Sequence, residues 1–345
     1  MAVTIKDVSA KCGLSISTVS KAFNNYADIS PETRELVQRT AREIGYSPNA
    51  IARTLKTNRS YNLGVLFQEK RGTGLTHSFF ASVLDAFKSA GEKRGYDITF
   101  INHHIGWTGM TYLEHCRYRN VDGVCVVCAD FYAPEVIELV DSNLPVVTID
   151  HSFNNRSCVL SDNIGGLKLL VDAAYQKGHR KIAYVHGEKS SVTENRIIGF
   201  YRAMQEHGLN VNPDFVVEAL YDNPAASMQA VLTLMNRPDP PTCILLPDDH
   251  STLGAMQAAK QLNLRVPEDL SLAGYDGIRL TQMLQPRLTT IEQDTKRIGA
   301  QAAEFLIDRI ENPRTAGSET ATIPVKLLEG ESMGICPVKA DAANS

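Results

Sequence analysis

From Tyr61 onward, short apolar runs alternate with amphipathic stretches, and that alternation admits few folds. NLGVLF, YDITFIN, VDGVCVVC and LPVVTID form a first series; KIAYVHG, DFVVEAL, CILLP and LSLAGYD form a second. Between them lie helical patterns such as SFFASVLDAFKSAGEKRG and SVTENRIIGFYRAMQEHG. Strand-helix alternation predicts parallel sheets with helices on both faces, and two comparable series predict two similar α/β lobes. After LTTIEQD the pattern resumes with one more helix, TKRIGAQAAEFLIDRI, and one strand, ATIPVKLLE. A chain of 345 residues, 43% hydrophobic, is long enough for two or three domains with sizeable cores.

The first 60 residues read differently. Thr4-Ile5-Lys6-Asp7 fits a capping box, and Gly13 ends the short helix it opens. Ser15 caps a second helix, SISTVSKAFN. At about 100° per residue from Ile16, the residues Ser17, Ser20, Lys21 and Asn24 share one polar face. Thr18, Val19, Ala22 and Phe23 take the other, largely apolar side. Ser30-Pro31 opens a third helix, with Leu36, Val37, Thr40, Ala41 and Ile44 as its inner stripe. Two short helices around a glycine turn, braced by a third, predict a helix-turn-helix, an all-α headpiece whose second helix enters the major groove. Ser47-Pro48 begins a further piece, PNAIARTLKT, too short to be a stable helix without a partner. Charge agrees: residues 1–60 hold nine Lys/Arg against five Asp/Glu, and the chain as a whole is at −4, so the remainder carries −8.

Several chemistries are disfavoured. Seven cysteines, an odd number, argue against a disulfide framework. Cys125 and Cys128 lie three apart on an expected strand and point to opposite faces, as do the adjacent His103 and His104, so no metal site is expected. There is no phosphate loop, no Gly-x-Ser-x-Gly and no nucleophile beside a base, so catalytic residues: none, and no enzyme is expected. The amino terminus lacks a signal-peptide pattern, and no run of ~18 apolar residues occurs. A cytoplasmic protein without a membrane partner and without a cofactor is the expectation.

TIKDVSAKCGLSISTVSKAFN, then ISPETR, then GYSPNAIARTLK resembles the lactose-repressor (LacI) family, in order and without gaps over Thr4 to Lys56. KGHRKIAYVHG, NRIIGFYRAM, LRVPEDLSLAGYDG and PRLTTIEQD extend the resemblance to roughly residues 3–335, and thereby to the periplasmic sugar-binding proteins. The resemblance implies a sequence-specific transcription regulator, expected to repress, with a ligand in the cleft between its lobes. It divides the chain into a headpiece (1–46), a hinge helix and linker (47–60), a ligand-binding and dimerisation domain (61–335) and a tail (336–345). Within the domain the first lobe is expected over 61–160 and 292–320, the second over 161–291 and 321–335.

The resemblance also implies roles. Ile16, Ser17 and Lys21 would read bases: Ile16 by apolar contact of the kind a thymine methyl offers, and Lys21 by donating to guanine. Thr4, Ser15, Thr18, Asn24, Thr33, Tyr46 and Asn49 would hold the DNA backbone. Ala52, Leu55 and Lys56 would enter the minor groove, with Leu55 wedged between base pairs. Arg196, Asp276, Asp249, Phe80, Asp130 and His151 would contact the effector, expected to be a sugar or sugar derivative, with purines or nucleosides as the other class. Trp107, the one tryptophan, is expected either in that pocket or packed inside the lobe.

Two departures from the commonest family form stand out. Gly277 follows the acid of GYDG where Asn or Asp is usual, which puts a supporting hydrogen bond in doubt. No glutamine- and leucine-rich tail follows residue 330, so a homodimer on a palindromic double-stranded operator is expected. Control by a phosphoprotein corepressor and a sugar receptor without DNA function remain the alternatives.

Overall fold

A computed structural model of the chain describes residues 3–24, 26–47, 54, 59–68 and 74–337. Asn49, Ala52, Leu55 and Lys56 lie outside the described residues. The chain divides into two compact units, Met1–Tyr61 and Asn62–Ser345.

In the first unit, α1 (Ile5–Cys12), α2 (Ile16–Phe23) and α3 (Pro31–Ile44) enclose Val8, Val19, Ala22, Val37 and Ala41. The caps are the ones the sequence predicts. The Thr4 amide and hydroxyl both donate to Asp7 Oδ2 at 2.8 Å. Gly13 ends α1 at φ 65°, the left-handed region that glycine enters without strain. The Ser15 hydroxyl accepts the Thr18 amide at 3.0 Å, and Ser30 accepts that of Thr33 at 3.2 Å.

In the second unit the chain runs β1 (Asn62–Phe67), α4 (Ser78–Lys93), β2 (Asp97–Ile101), β3 (His104–Ile105), β4 (Thr108–Gly109), α5 (Tyr112–Tyr118), β5 (Gly123–Cys128), α6 (Pro134–Asp141), β6 (Val146–Ile149) and β7 (Ser157–Ser161). It continues as α7 (Asn163–Gln176), β8 (Ile182–His186), α8 (Ser191–Glu206), β9 (Val216–Glu218), α9 (Pro224–Met235), β10 (Cys243–Leu245), α10 (Asp249–Gln261), β11 (Ser271–Asp276) and β12 (Thr289–Gln293). The last elements are α11 (Thr295–Glu311), β13 (Thr320–Ile323) and β14 (Val325–Leu328). Two six-stranded sheets result, ordered β13-β7-β6-β5-β1-β2 and β14-β12-β11-β10-β8-β9. All neighbours within them are parallel except β12 and β14.

The central strands are largely apolar because both of their faces are covered. On β8, Ile182 and Tyr184 join one core with α7 and α8, while Ala183 and Val185 join another with α9 and α10. In the first lobe, Leu66, Val124 and Val126 pack against Val136 and Leu139 of α6. On the other face α11 lies so close to α4 that a Cβ at Gly299 would sit 2.2 Å from the Val83 carbonyl oxygen.

Three points differ from the sequence expectation. ATIPVKLLE is two strands: Pro324 carries no amide to continue a ladder, and the chain leaves one sheet for the other there. The chain therefore passes between lobes at Asp162, Asp294 and Pro324, one to three residues later than the boundaries expected. At the first two passages the strand runs on to an aspartate that caps the next helix, Asp162 accepting the Gly165 amide at 2.8 Å and Asp294 that of Arg297 at 3.0 Å. Finally, INHHIGWTG holds the β3-β4 hairpin, turning at Gly106 with φ 60°, and Trp107 at its tip is fully exposed, neither buried nor in the cleft. Among the described residues no helix is long and apolar enough to cross a membrane, and no cluster of three or more potential metal ligands occurs.

Candidate functional site

On the first unit, α2 presents an apolar residue to solvent: Ile16 is 45% exposed at its first turn, next to exposed Ser17. Lys21 is held by Asp28 at 2.5 Å. An exposed pair of this kind is weak in water and readily exchanged for an acceptor on DNA. Thr4, Ser15 and Thr33 stand at or inside the first turns of α1, α2 and α3, and Thr18 is in the first turn of α2. Helix starts offer unpaired amides and a positive dipole end to phosphates. Asn24 and Tyr46 are partly engaged internally: Asn24 Nδ2 donates to the Ser20 carbonyl at 2.7 Å, and the Tyr46 ring packs 5.5 Å from that of Phe23.

On the second unit, the carboxyl ends of strands from both sheets face a cavity of about 340 Å³. Five of the six expected effector residues line it: Phe80, Asp130, His151, Arg196 and Asp276. Parallel strands with their carboxyl ends at a crevice are the usual setting for ligands in α/β proteins.

Arg196 projects from α8 and is only 4% exposed. Its Nε donates to Asn163 Oδ1 and its Nη1 to the Pro247 carbonyl, both at 2.7 Å, and its plane lies 3.5 Å over the Tyr275 ring. Burial opposes its charge, but Tyr221, Tyr275 and Asp276 raise its pKa overall. Asp276 ends β11 at φ 108° and accepts from Gln293 Nε2 at 2.8 Å. Gln293 thus supplies the support that Gly277 put in doubt. Gly277 itself has φ 70°, and a Cβ there would lie 2.8 Å from Glu292 Cα, so a larger residue is excluded. Burial pushes the Asp276 carboxyl well above the usual range.

In the first lobe His151 is 8% exposed, stacked on Phe131 at 4.5 Å with 7° between planes. Burial lowers its pKa, and its Nδ1 lies 3.2 Å from Ser191 Oγ of the second lobe. Phe80 sits edge-on to Phe67 at 5.3 Å, and Asp130 accepts the Tyr132 amide at 3.2 Å.

Asp249 is a correction. It is fully buried and points away from the cavity, accepting from the Ile278 amide at 2.8 Å, Thr281 Oγ1 at 3.1 Å and Thr290 Oγ1 at 2.5 Å. Its preceding neighbour lines the cavity instead: Asp248 caps α10, receiving the Ser251 amide at 2.7 Å. In LPDDH only one of two consecutive acids can cap, and the next is rotated inward. Sequence reasoning also missed Phe131, Tyr132, Asp150, Tyr221 and Asp222, all lining residues. Position just past a strand end is the signal that could have found Asp150, whose φ of 58° marks a turn directly after β6.

Such a fold and site define a class: regulators in which a helix-turn-helix unit is joined to a two-lobed ligand-binding domain. Residues 4–49 match the profile of bacterial regulatory proteins of the lacI family, and residues 171–333 match the periplasmic binding protein-like domain. The chain is 32% identical over 344 residues to the HTH-type transcriptional repressor PurR of Pectobacterium atrosepticum, covering 97% of this chain and 98% of that one. It is 35% identical over 321 residues to the ribose operon repressor of Haemophilus influenzae, covering 90% and 92%. Among solved structures it resembles the Lac repressor dimer bound to operator and the anti-inducer ONPF, with TM-score 0.76, 25% identity and coverage of 97% and 100%. A CelR–cellobiose complex matches with TM-score 0.70, 25% identity and coverage of 96% and 99%. The chain belongs to the LacI family of DNA-binding transcriptional regulators.

Proposed function

We propose that this protein is a dimeric repressor that binds a palindromic operator and is controlled by a carbohydrate or carbohydrate derivative in its cleft. The observation that carries this reading is the cavity at the strand ends of both lobes, with Arg196 fixed through two of its nitrogens and acceptors and aromatic rings around it. Hydroxyls suit such acceptors, and aromatic faces suit the apolar side of a sugar ring. The ligand acts through different affinities for the states that do and do not bind DNA. In this reading Ile16, Ser17 and Lys21 contact bases, and the helix-start residues Thr4, Ser15, Thr18 and Thr33 set register on phosphates. Asn24, Tyr46 and Asn49 assist them, and Ala52, Leu55 and Lys56 serve the minor groove, as the family resemblance implies. Relatives named as repressors support regulation over catalysis. No observation favours a phosphoprotein corepressor.

A nucleobase is the second reading, favoured by the density of rings at Phe80, Phe131, Tyr132 and Tyr221. Selection from randomised duplex DNA by the purified chain, alone and with pooled sugars or pooled purines, tests both. An enriched palindrome whose recovery changes with sugars supports the first reading. A change with purines alone supports the second, and no enrichment under any condition removes the repressor reading.

A further inference from the structure

Gln68 follows β1 directly, is exposed and lines the cavity. Its backbone amide donates to the Cys128 carbonyl at 2.7 Å, which carries the pairing of β1 with β5 one residue further. Its side chain is tied as well: the Tyr112 hydroxyl of α5 lies 2.5 Å from Gln68 Oε1. Tyr112 is 2% exposed and belongs to the core of the first lobe, with Leu66, Leu113 and Val124. The His103 ring lies 3.9 Å from its own. A fixed phenol thus reaches from that core to a residue of the cleft.

A carboxamide has one acceptor corner and one donor corner, and the corner that meets Tyr112 decides what Gln68 offers elsewhere. Burial, and after it the Glu135 carboxylate, push the Tyr112 phenol up to about 12, so it keeps its proton at neutral pH. Among the described residues that proton has one acceptor, Gln68 Oε1. Turning the amide over would set two N–H groups against the phenol and leave its O–H buried without an acceptor. Such a loss disfavours the turned form by about tenfold or more. The oxygen is therefore held at the buried end. Nε2 is left at the exposed end, with no partner among the described residues.

We infer that Tyr112 is a positioning residue for the effector: by holding the oxygen of Gln68 it fixes the amide nitrogen as a donor into the cleft. The effector then carries a lone pair, on a hydroxyl, carbonyl or ring atom, on the side it turns to the end of β1. This inference rests on the cleft being the effector site, as proposed above. A site that presents a fixed donor rejects an analogue with nothing to accept it, because the donor loses water without gaining a partner. Tyr112 touches no effector and acts through Gln68 alone.

Calorimetry on the full chain tests this, with ribose, glucose, galactose, cellobiose, adenine and hypoxanthine as probes. The proteins compared are the parent, Tyr112→Phe, Gln68→Ala, the double variant carrying both, and Gln68→Glu. Thermal melting without ligand is the control for folding. The probe that binds the parent should bind Tyr112→Phe about threefold to tenfold more weakly and Gln68→Ala about tenfold more weakly. In the Gln68→Ala background the loss of the phenol hydroxyl should change affinity by less than about twofold, since the two residues act as one unit. Gln68→Glu keeps an oxygen for Tyr112 and puts an acceptor where the donor stood, so binding should fall by at least about tenfold. Equal losses from Tyr112→Phe in both backgrounds make its hydroxyl merely structural and overturn the inference. So does binding by Gln68→Glu as tight as that of the parent, which decides alone if Tyr112→Phe melts early. If a purine is the probe that binds, the carbohydrate reading falls and the same comparison decides the inference. Binding of no probe overturns both.

Discussion

Arg196 is the side chain on which most of the cleft's order converges. Its buried guanidinium joins α8 to Asn163 and to the Pro247 carbonyl. Lysine cannot make both bonds and still cover Tyr275, so the exchange is not conservative here. Arg196→Lys should weaken effector binding by about a hundredfold or more and lower the melting temperature, read by calorimetry and thermal unfolding. Asp249 gives a prediction of opposite character. Burial raises its pKa to about 7, against the lowering effect of bonds from Thr290, Ile278 and Thr281. The folded state therefore holds this proton more tightly than the unfolded state. The contribution to stability is present below about pH 4 and is lost as pH rises towards about 7, by up to about 4 kcal/mol. Asp249→Asn, neutral at every pH, should flatten the fall in unfolding free energy between pH 4 and 7, measured by urea titration across that range. A profile as steep as that of the parent would assign the slope to other groups.

At the scale of elements, the local signals were legible and the nonlocal ones were not. Thr4, Ser15 and Ser30 each cap the helix their position predicts, because a cap is decided within four residues. Ser15→Ala should cost about 1 kcal/mol of headpiece stability and weaken DNA binding, seen as earlier melting and a raised Kd for the selected operator. Strand-helix alternation likewise revealed both lobes, since covered parallel strands are apolar runs whatever their partners. Pro324 was harder. A proline among β-forming residues says that a ladder breaks, but the switch of sheet depends on where β7 and β12 have left edges. The cleft shows the same division. Phe80, Asp130, His151, Arg196 and Asp276 were legible through family resemblance, whereas Asp249 was misplaced because neighbouring acids on one helix start differ by about 100° of rotation. Phe131, Tyr132 and Tyr221 follow β5 and β9 by three or four residues, but which loop side chains turn into the cleft depends on segments distant in the sequence.

For the second unit as a whole, three passages of chain at Asp162, Asp294 and Pro324 join the lobes, and contacts such as His151 with Ser191 bridge them. Motion about three strands of connection is a hinge with few degrees of freedom, so a bound effector should close the lobes with little sliding. Small-angle scattering should show a smaller radius of gyration with effector. The emission of Trp107, exposed on its hairpin, should stay that of a solvated indole throughout. Equal radii with and without a saturating effector would remove closure from the mechanism. The same connectivity bears on how the chain is made. The first lobe starts at Asn62, but its covering helix α11 and its edge strand β13 come after nearly the entire second lobe. At about 5–20 residues per second, the apolar faces of α4 and the strands beside it wait on the order of ten seconds on the ribosome for their cover. The lobe that begins first thus waits for its cover until the other lobe is nearly complete, with its apolar faces open to the solvent meanwhile.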